Sequence, residues 1–217
     1  MPLSWDVYFK ANGDDGGCRR NESIYDNVCP SAQPDSEFYD FVLANDTVKQ
    51  LQIAKTLKST DGSQTPFFIA AGLRRPHRVW HVPKRFYDLY ANDGAAPTNM
   101  PLALHKEAPV GMPSLAFIDN AWPSFHYGPG VGYVNDTIAA LGRWGYYASV
   151  SFTDHNVGII LDGLDRLQLS SNTVGTYHNY PKSNRHKLNS QKSNPDMITD
   201  NRRGLVLSTS TTLYYDY

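Results

Sequence analysis

TPFFIAAGLRRPHRVWHVPKRFYDLY, running from Thr65 to Tyr90, is the stretch that decides the fold. Its first part, Pro66–Gly72, is a continuous apolar run between turn signals. Nothing in it alternates, so it reads as a buried strand of the parallel kind, covered on both faces and central in its sheet. RRPHRVWHVP then reads as an extended loop punctuated by proline. Pro83 sits well at the first turn of a short helix, KRFYDLY, because a first-turn residue has no intrahelical use for its N–H.

Outward from this stretch, the chain alternates helical and strand-like segments. Upstream, Asp46 or Thr47 can cap a helix over VKQLQIAKTLK, in which Val48, Leu51, Ala54 and Leu57 or Lys58 share a face. Residues 1–35 are rich in Gly, Asn, Asp and Pro and read as loop. Downstream, residues 91–134 hold little regular pattern, and a loop of that length inside a domain usually serves a function or covers something. Asp136–Leu167 is the longest helical stretch, with a bend expected near Gly145. Val150, Val157, Ile160, Leu161, Leu164 and Leu167 recur in it at helical spacing. Gln168–Asn172 ends it, and Thr173-Val174 begins another strand. Helix, strand, crossover, long helix and strand together predict a three-layer α/β domain. After Val174 apolar periodicity is lost. The segment up to Gly204 is dense in Asn, Ser and Lys, and the final LVLSTSTTLYYDY is β-prone but isolated. We therefore divide the chain into a domain portion, residues 1–174, and a divergent, irregular tail, residues 175–217.

Bulk properties narrow the function classes. The 217 residues carry a formal net charge of −1, so no global basic field exists to draw nucleic acid or an anionic membrane. Hydrophobic residues make up 41% and charged residues 19%, enough apolar content to build a core. No apolar run approaches the roughly 20 residues of a membrane helix. The start, Met-Pro-Leu-Ser-Trp-Asp, lacks the basic and apolar regions of a signal peptide. Cys18 and Cys29 are the only cysteines. They flank a polar loop and either close a short disulfide or remain two separate thiols. Sequons at Asn21, Asn45 and Asn135 are candidate glycosylation sites. A Cys pair with three sequons fits a secretory-pathway protein whose N-terminal part is absent from this chain.

Three blocks, in order, carry a family resemblance: CRRNESIYDNVCP followed by a helix, TPFFIAAGLRRPHRVWHVPKRFYDLY, and RWGYYASVSFTDHNVGIILDGLDRLQLSSNTV. The second resembles the sulfatase segment in which an apolar strand runs into a basic-Pro-His turn. The third resembles the sulfatase helix that leads into Asn-Thr. Their order and spacing are similar to the iduronate-2-sulfatase branch, where a Cys pair lies just upstream of the same helix and strand. The resemblance covers about residues 16–174. It implies an α/β fold of the alkaline-phosphatase-like type, present here in part, and hydrolysis of sulfate esters of glycosaminoglycans in a lysosomal or secreted setting. It also implies a formylglycine nucleophile made in a C/S-x-P-x-R motif, and a calcium ion held by an early Asp pair and a late Asp-His or Asp-Asn pair. A disulfide between Cys18 and Cys29 is expected, closing a loop worth about 3 kcal/mol in the chain-entropy account.

Carried over residue by residue, the resemblance assigns His77 as a substrate-side histidine contacting the sulfate group, with Arg75 where the family commonly has Lys. Arg keeps the charge and changes its geometry. No C-x-P-x-R occurs: Cys18 is followed by Arg-Arg-Asn-Glu and Cys29 by Pro-Ser-Ala-Gln. Asp14-Asp15 is a lone doublet in a Gly-rich loop. The late metal motif is expected directly after Val174, where the sequence reads Gly175-Thr176-Tyr177-His178-Asn179-Tyr180 and the match stops. Calcium ligands are thus missing from these residues. A break this sharp suits an intron read-through, a frameshift or an alternative exon. Asp154 and His155 belong to the long helix and its packing. His81, His105, His126 and His186 have no zinc-type spacing. The basic run Lys182, Arg185, Lys187, Lys192, Arg202 and Arg203 reads as a solvated surface. The expected function is that of a catalytically inactive sulfatase-like chain. The alternative is a non-catalytic secreted carbohydrate-binding protein.

Overall fold

The computed structural model describes Cys18 and residues 28–57, 62–63, 65–97, 99–104, 110–111, 113, 136–180 and 204–210. In chain order its elements are β1 (Val28–Ser31), α1 (Tyr39–Thr56), β2 (Phe68–Leu73), β3 (Trp80–Pro83), α2 (Lys84–Asp88), α3 (Asp136–Arg166), β4 (Val174–Tyr180) and β5 (Gly204–Ser210), with short 3-10 turns at Asp35–Glu37 and Ser170–Asn172. The class is α/β, and the chain divides into two units.

The first unit contains Gln33–Arg78 and the chain from Val150 onward. Its sheet has the order β2-β5-β4, all parallel, with Phe68 opposite Gly204 and Leu73 opposite Thr209, and Val174 opposite Gly204 on the other side. Two expectations are corrected here. The segment after Val174 is not irregular throughout, since β4 continues to Tyr180. The β-prone end is not isolated, since β5 takes the middle place in the sheet. Pro66–Gly72 does form a parallel strand, starting two residues later and ending one residue later, yet among the described strands it stands at the edge of the order rather than in the centre.

That strand also alternates in burial, against the expectation for an apolar run. Ala71 and Leu73 are 1% exposed, whereas Phe68 is 58% exposed. Successive side chains point to opposite faces, and the helices cover one face. Ala71 packs in a cluster with Ala44 and Leu51 of α1, Ile160 and Leu164 of α3, and Leu169. Leu73 packs with Leu43, beside Tyr39, Val42 and Val157. Gly163 lets the two helices meet, because a Cβ there would lie 2.6 Å from Val48 Cγ2.

The first helix begins seven residues before the expected cap, at Tyr39, with Phe38 as N-cap and no side-chain cap bond. Asp46 and Thr47 are interior. Thr47 Oγ1 donates to Leu43 O at 2.8 Å, and Asp46 Oδ1 pairs with Lys49 Nζ at 2.7 Å. Burial of Phe38, Leu43 and Ala44 extends the helix past its polar middle, so tertiary packing outweighs the local capping signal.

The second unit holds Gly17–Ala32 and Val79–Ser149. RRPHRVWHVP is loop only in part. Trp80–Pro83 is β3, parallel to β1, with Val28 opposite Trp80 and Cys29 opposite His81. Its core turns on Tyr87 of α2, which is fully buried. The Tyr87 hydroxyl accepts the Cys29 N–H at 3.1 Å and donates to Trp80 O. The Trp144 indole N–H donates to Tyr87 O at 2.9 Å, and the two rings meet edge to face at 4.8 Å. Buried aromatic polar tips need such partners. Gly145 marks a close contact, since a Cβ there would lie 2.9 Å from the Trp80 ring. Cys18 and Cys29 are disulfide-bonded, with Cα atoms 5.6 Å apart.

Candidate anion-binding turn

The carboxyl end of a parallel sheet is where open α/β folds place their ligands, because the strand-to-helix loops gather there. In the first unit, β2 delivers Arg74-Arg75-Pro76-His77 to that end. The turn is closed by the His77 N–H donating to Arg74 O at 3.1 Å. Asp40, in the first turn of α1, reaches across and fixes it. Asp40 Oδ1 accepts the Arg74 N–H at 2.7 Å, and Oδ2 accepts the Arg75 N–H at 2.8 Å.

Asp40 is 2% exposed. Burial raises its carboxyl pKa above the ordinary value of 3.8, and this outweighs the opposing pull of the Arg74 and Arg75 amides and of the two guanidinium charges. Arg75 is itself 3% exposed, and its Nη1 lies 3.5 Å from His77 O. His77 is half-buried. Its Nδ1 bonds the Arg78 carbonyl. A carbonyl only accepts, so Nδ1 carries the hydrogen, and Nε2 is an acceptor in the neutral ring and a donor in the protonated one. Arg75 and His77 thus come together on one turn, two residues apart.

The other expected residues are not gathered there. Asp14, Asp15, Asn21, Asn135, His105, His126, His186 and the basic run from Lys182 to Arg203 lie outside the described residues. Asn45 lies within α1, where its Nδ2 donates to Phe41 O at 2.9 Å. Asp154 and His155 are exposed rather than packed, and His155 Nε2 stands 3.9 Å from Asp35 Oδ2. His81 is buried in β3. His178 and Asn179 lie on β4, opposite Ser208 and Thr209 of β5. Among the described residues no three His, Cys, Asp or Glu side chains group as metal ligands, and both Asp40 oxygens are committed to backbone N–H groups. These residues do not fit a calcium site.

Asp40 is the site residue that sequence reasoning missed. Its signal was an acidic residue in a helical first turn, hidden because the helix was expected to start later. No helix among the described residues is long and apolar enough to cross a membrane.

No protein-family profile matches the chain. Over 137 residues it is 32% identical to iduronate 2-sulfatase of Homo sapiens, covering 59% of this chain and 23% of that protein. Over 163 residues it is 29% identical to iduronate 2-sulfatase of Mus musculus, covering 68% and 26%. A sulfatase of Formosa agariphila is 32% identical over 112 residues, covering 50% and 20%. The chain therefore spans about a quarter of the length of the curated relatives it matches. Over more than half of its length, this chain is similar to a segment of the sulfatases, and among them to iduronate 2-sulfatase.

Proposed function

We propose that the chain is a sulfate-recognising portion of an alkaline-phosphatase-like sulfatase fold of the iduronate-2-sulfatase kind, and that Arg75 and His77 contact the sulfate group. The observation that carries this is their placement on one braced turn at the carboxyl end of a parallel sheet. A sulfate ester presents three oxygens that only accept hydrogen bonds. A guanidinium supplies a planar fork of donors, and a protonated imidazole supplies one more at Nε2. Bonds to a charged group in a partly buried site are worth about 1.5–3 kcal/mol each.

The 217 residues contain no C-x-P-x-R, so on this proposal the chain alone binds sulfate esters without hydrolysing them. Two of the relatives are named for iduronate 2-sulfate, and the substrate class proposed for this chain is a 2-O-sulfated uronate within a glycosaminoglycan. The disulfide between Cys18 and Cys29 supports a secreted or lysosomal setting, since such bonds persist in oxidising compartments.

The test is a titration of the chain with a 2-O-sulfated uronate disaccharide and its desulfated twin. The sulfated sugar is expected to bind more tightly, and His77→Ala to remove about tenfold or more of that preference. Equal binding of the two sugars would overturn sulfate recognition and favour a general carbohydrate-binding role.

A further inference from the structure

The brace across the Arg74–His77 turn is chemically specific. Two successive backbone N–H groups point at one carboxylate, which receives each on a separate oxygen, at 2.7 and 2.8 Å. The contact spans 34 and 35 residues of sequence, tying the first turn of α1 to the end of β2. A buried carboxylate is a costly way to close a turn, because desolvation opposes its charge. Stability alone would be served by a neutral cap or by apolar packing. A carboxylate is the side chain that satisfies two adjacent donors at once and also faces a buried guanidinium. Asn would accept one N–H through Oδ1 and set its own NH2 group against the other.

We propose that Asp40 is the positioning residue of the anion-binding turn: it fixes the Arg74 and Arg75 amides so that Arg75 and His77 present their donors to one oxyanion, without touching that oxyanion itself. This role rests on Arg75 and His77 being the sulfate contacts. Asp40 carries no donor when ionised and would repel sulfate directly, so any gain in sulfate affinity that it brings must pass through the turn.

The probe is inorganic sulfate, titrated into the isotope-labelled 217-residue chain and followed by NMR at the Arg75 amide and the His77 ring. The variants are Asp40→Asn, His77→Ala and the double variant, with the amides of Ala71 and Ile160 in the core of the same unit as internal reporters of folding. Sulfate should shift the wild-type resonances, and His77→Ala should abolish that response. Asp40→Asn should weaken binding roughly five- to twentyfold, as loosened positioning does, and should add nothing in the His77→Ala background. If wild type shows no sulfate response that His77→Ala removes, the sulfate contacts and the role of Asp40 fall together. If that response is present and Asp40→Asn binds as wild type does, Asp40 alone is overturned.

A second measurement needs no variant. The charged groups acting on Asp40 are the Arg74 and Arg75 guanidinium groups, and both amides report its titration. If the turn binds sulfate best when Asp40 is ionised, linkage requires bound sulfate to lower the pH at which Asp40 titrates. Direct repulsion between two anions would raise it. A raised or unmoved titration with sulfate bound overturns the positioning role, including where Asp40→Asn fails to fold.

Discussion

Gly158 and Gly163 lie in the same helix and should respond oppositely to alanine. Within α3, a Cβ at Gly158 meets nothing within 4 Å. Gly158→Ala therefore gains only helix propensity, about 0.8–1 kcal/mol. At Gly163 a Cβ would stand 2.6 Å from Val48 Cγ2, 2.9 Å from Cγ1 and 3.3 Å from Cβ. Val48 sits on α1, is β-branched and has few rotamers to escape into. Overpacking of this kind costs about 1–3 kcal/mol. Set against the same propensity gain, Gly163→Ala should lose up to about 2 kcal/mol, so the two variants should differ by about 1–3 kcal/mol. Val48→Ala removes both Cγ atoms, so adding Gly163→Ala to Val48→Ala should stabilise by nearly the Gly158→Ala amount. Urea unfolding of wild type and the four variants reads all of this through the midpoint at constant slope. If Gly163→Ala proves as stable as Gly158→Ala, the close approach of α1 to α3 is refuted. If the double variant is no better than the sum of its parts, Val48 is not what the methyl meets.

Three further outcomes are expected. Replacing Cys18 and Cys29 by Ser should cost about 3 kcal/mol, the loop-closure value for a bridge of this span, and peptide mapping without reductant should find the pair joined in secreted material. The purified chain should not turn over a fluorogenic aryl sulfate above a heat-killed control, because the groups of a nucleophile-and-metal site act as a unit and their loss forfeits orders of magnitude. Asp40 should make stability fall as pH rises: its folded pKa is raised above 3.8 by burial, so between the two values the unfolded chain binds fewer protons, and the loss is complete above the folded value. Denaturation against pH in wild type and Asp40→Asn checks the sign, and a wild-type advantage that grows with pH would contradict it.

What the sequence made legible was whatever depended on short range. The strand after Thr65, the short helix after Pro83 and the long helix from Asp136 were all readable, because periodicity and proline placement act within a few residues. Arg75 and His77 were readable only through the resemblance, since a basic-Pro-His triplet has no local signature of anion binding. Misreadings came where distant residues decide. Phe38 and Leu43 pull the start of α1 forward by burying, which no cap residue announces. Trp80–Pro83 becomes a strand because β1 lies beside it, tied through Cys29 and Tyr87. Asp40 acquires its role from amides 34 and 35 residues away.

The sharpest case is β5. It sits between β2 and β4 and pairs with both along its length, Gly204 being opposite Phe68 on one side and Val174 on the other. If residues 175–217 are a foreign tail, their removal should leave the turn at Arg74–His77 intact. If β5 is part of the fold, its loss strips two parallel ladders at once. Each ladder bond contributes about 1 kcal/mol net, and the unpaired groups left near the core cost more than that. A chain ending at Arg203 should then lose hydrogen-exchange protection at Ala71 and Leu73, whose side chains pack against α1 and α3 although their backbones pair with Leu207 and Thr209. It should also lose the sulfate response at His77, because β2 would no longer hold the turn in place. The second unit, with Tyr87, Trp144 and the disulfide, should remain folded and serve as the control. Full protection of Ala71 in the shortened chain would remove β5 from the fold and leave α1 and α3 as the sole supports of β2.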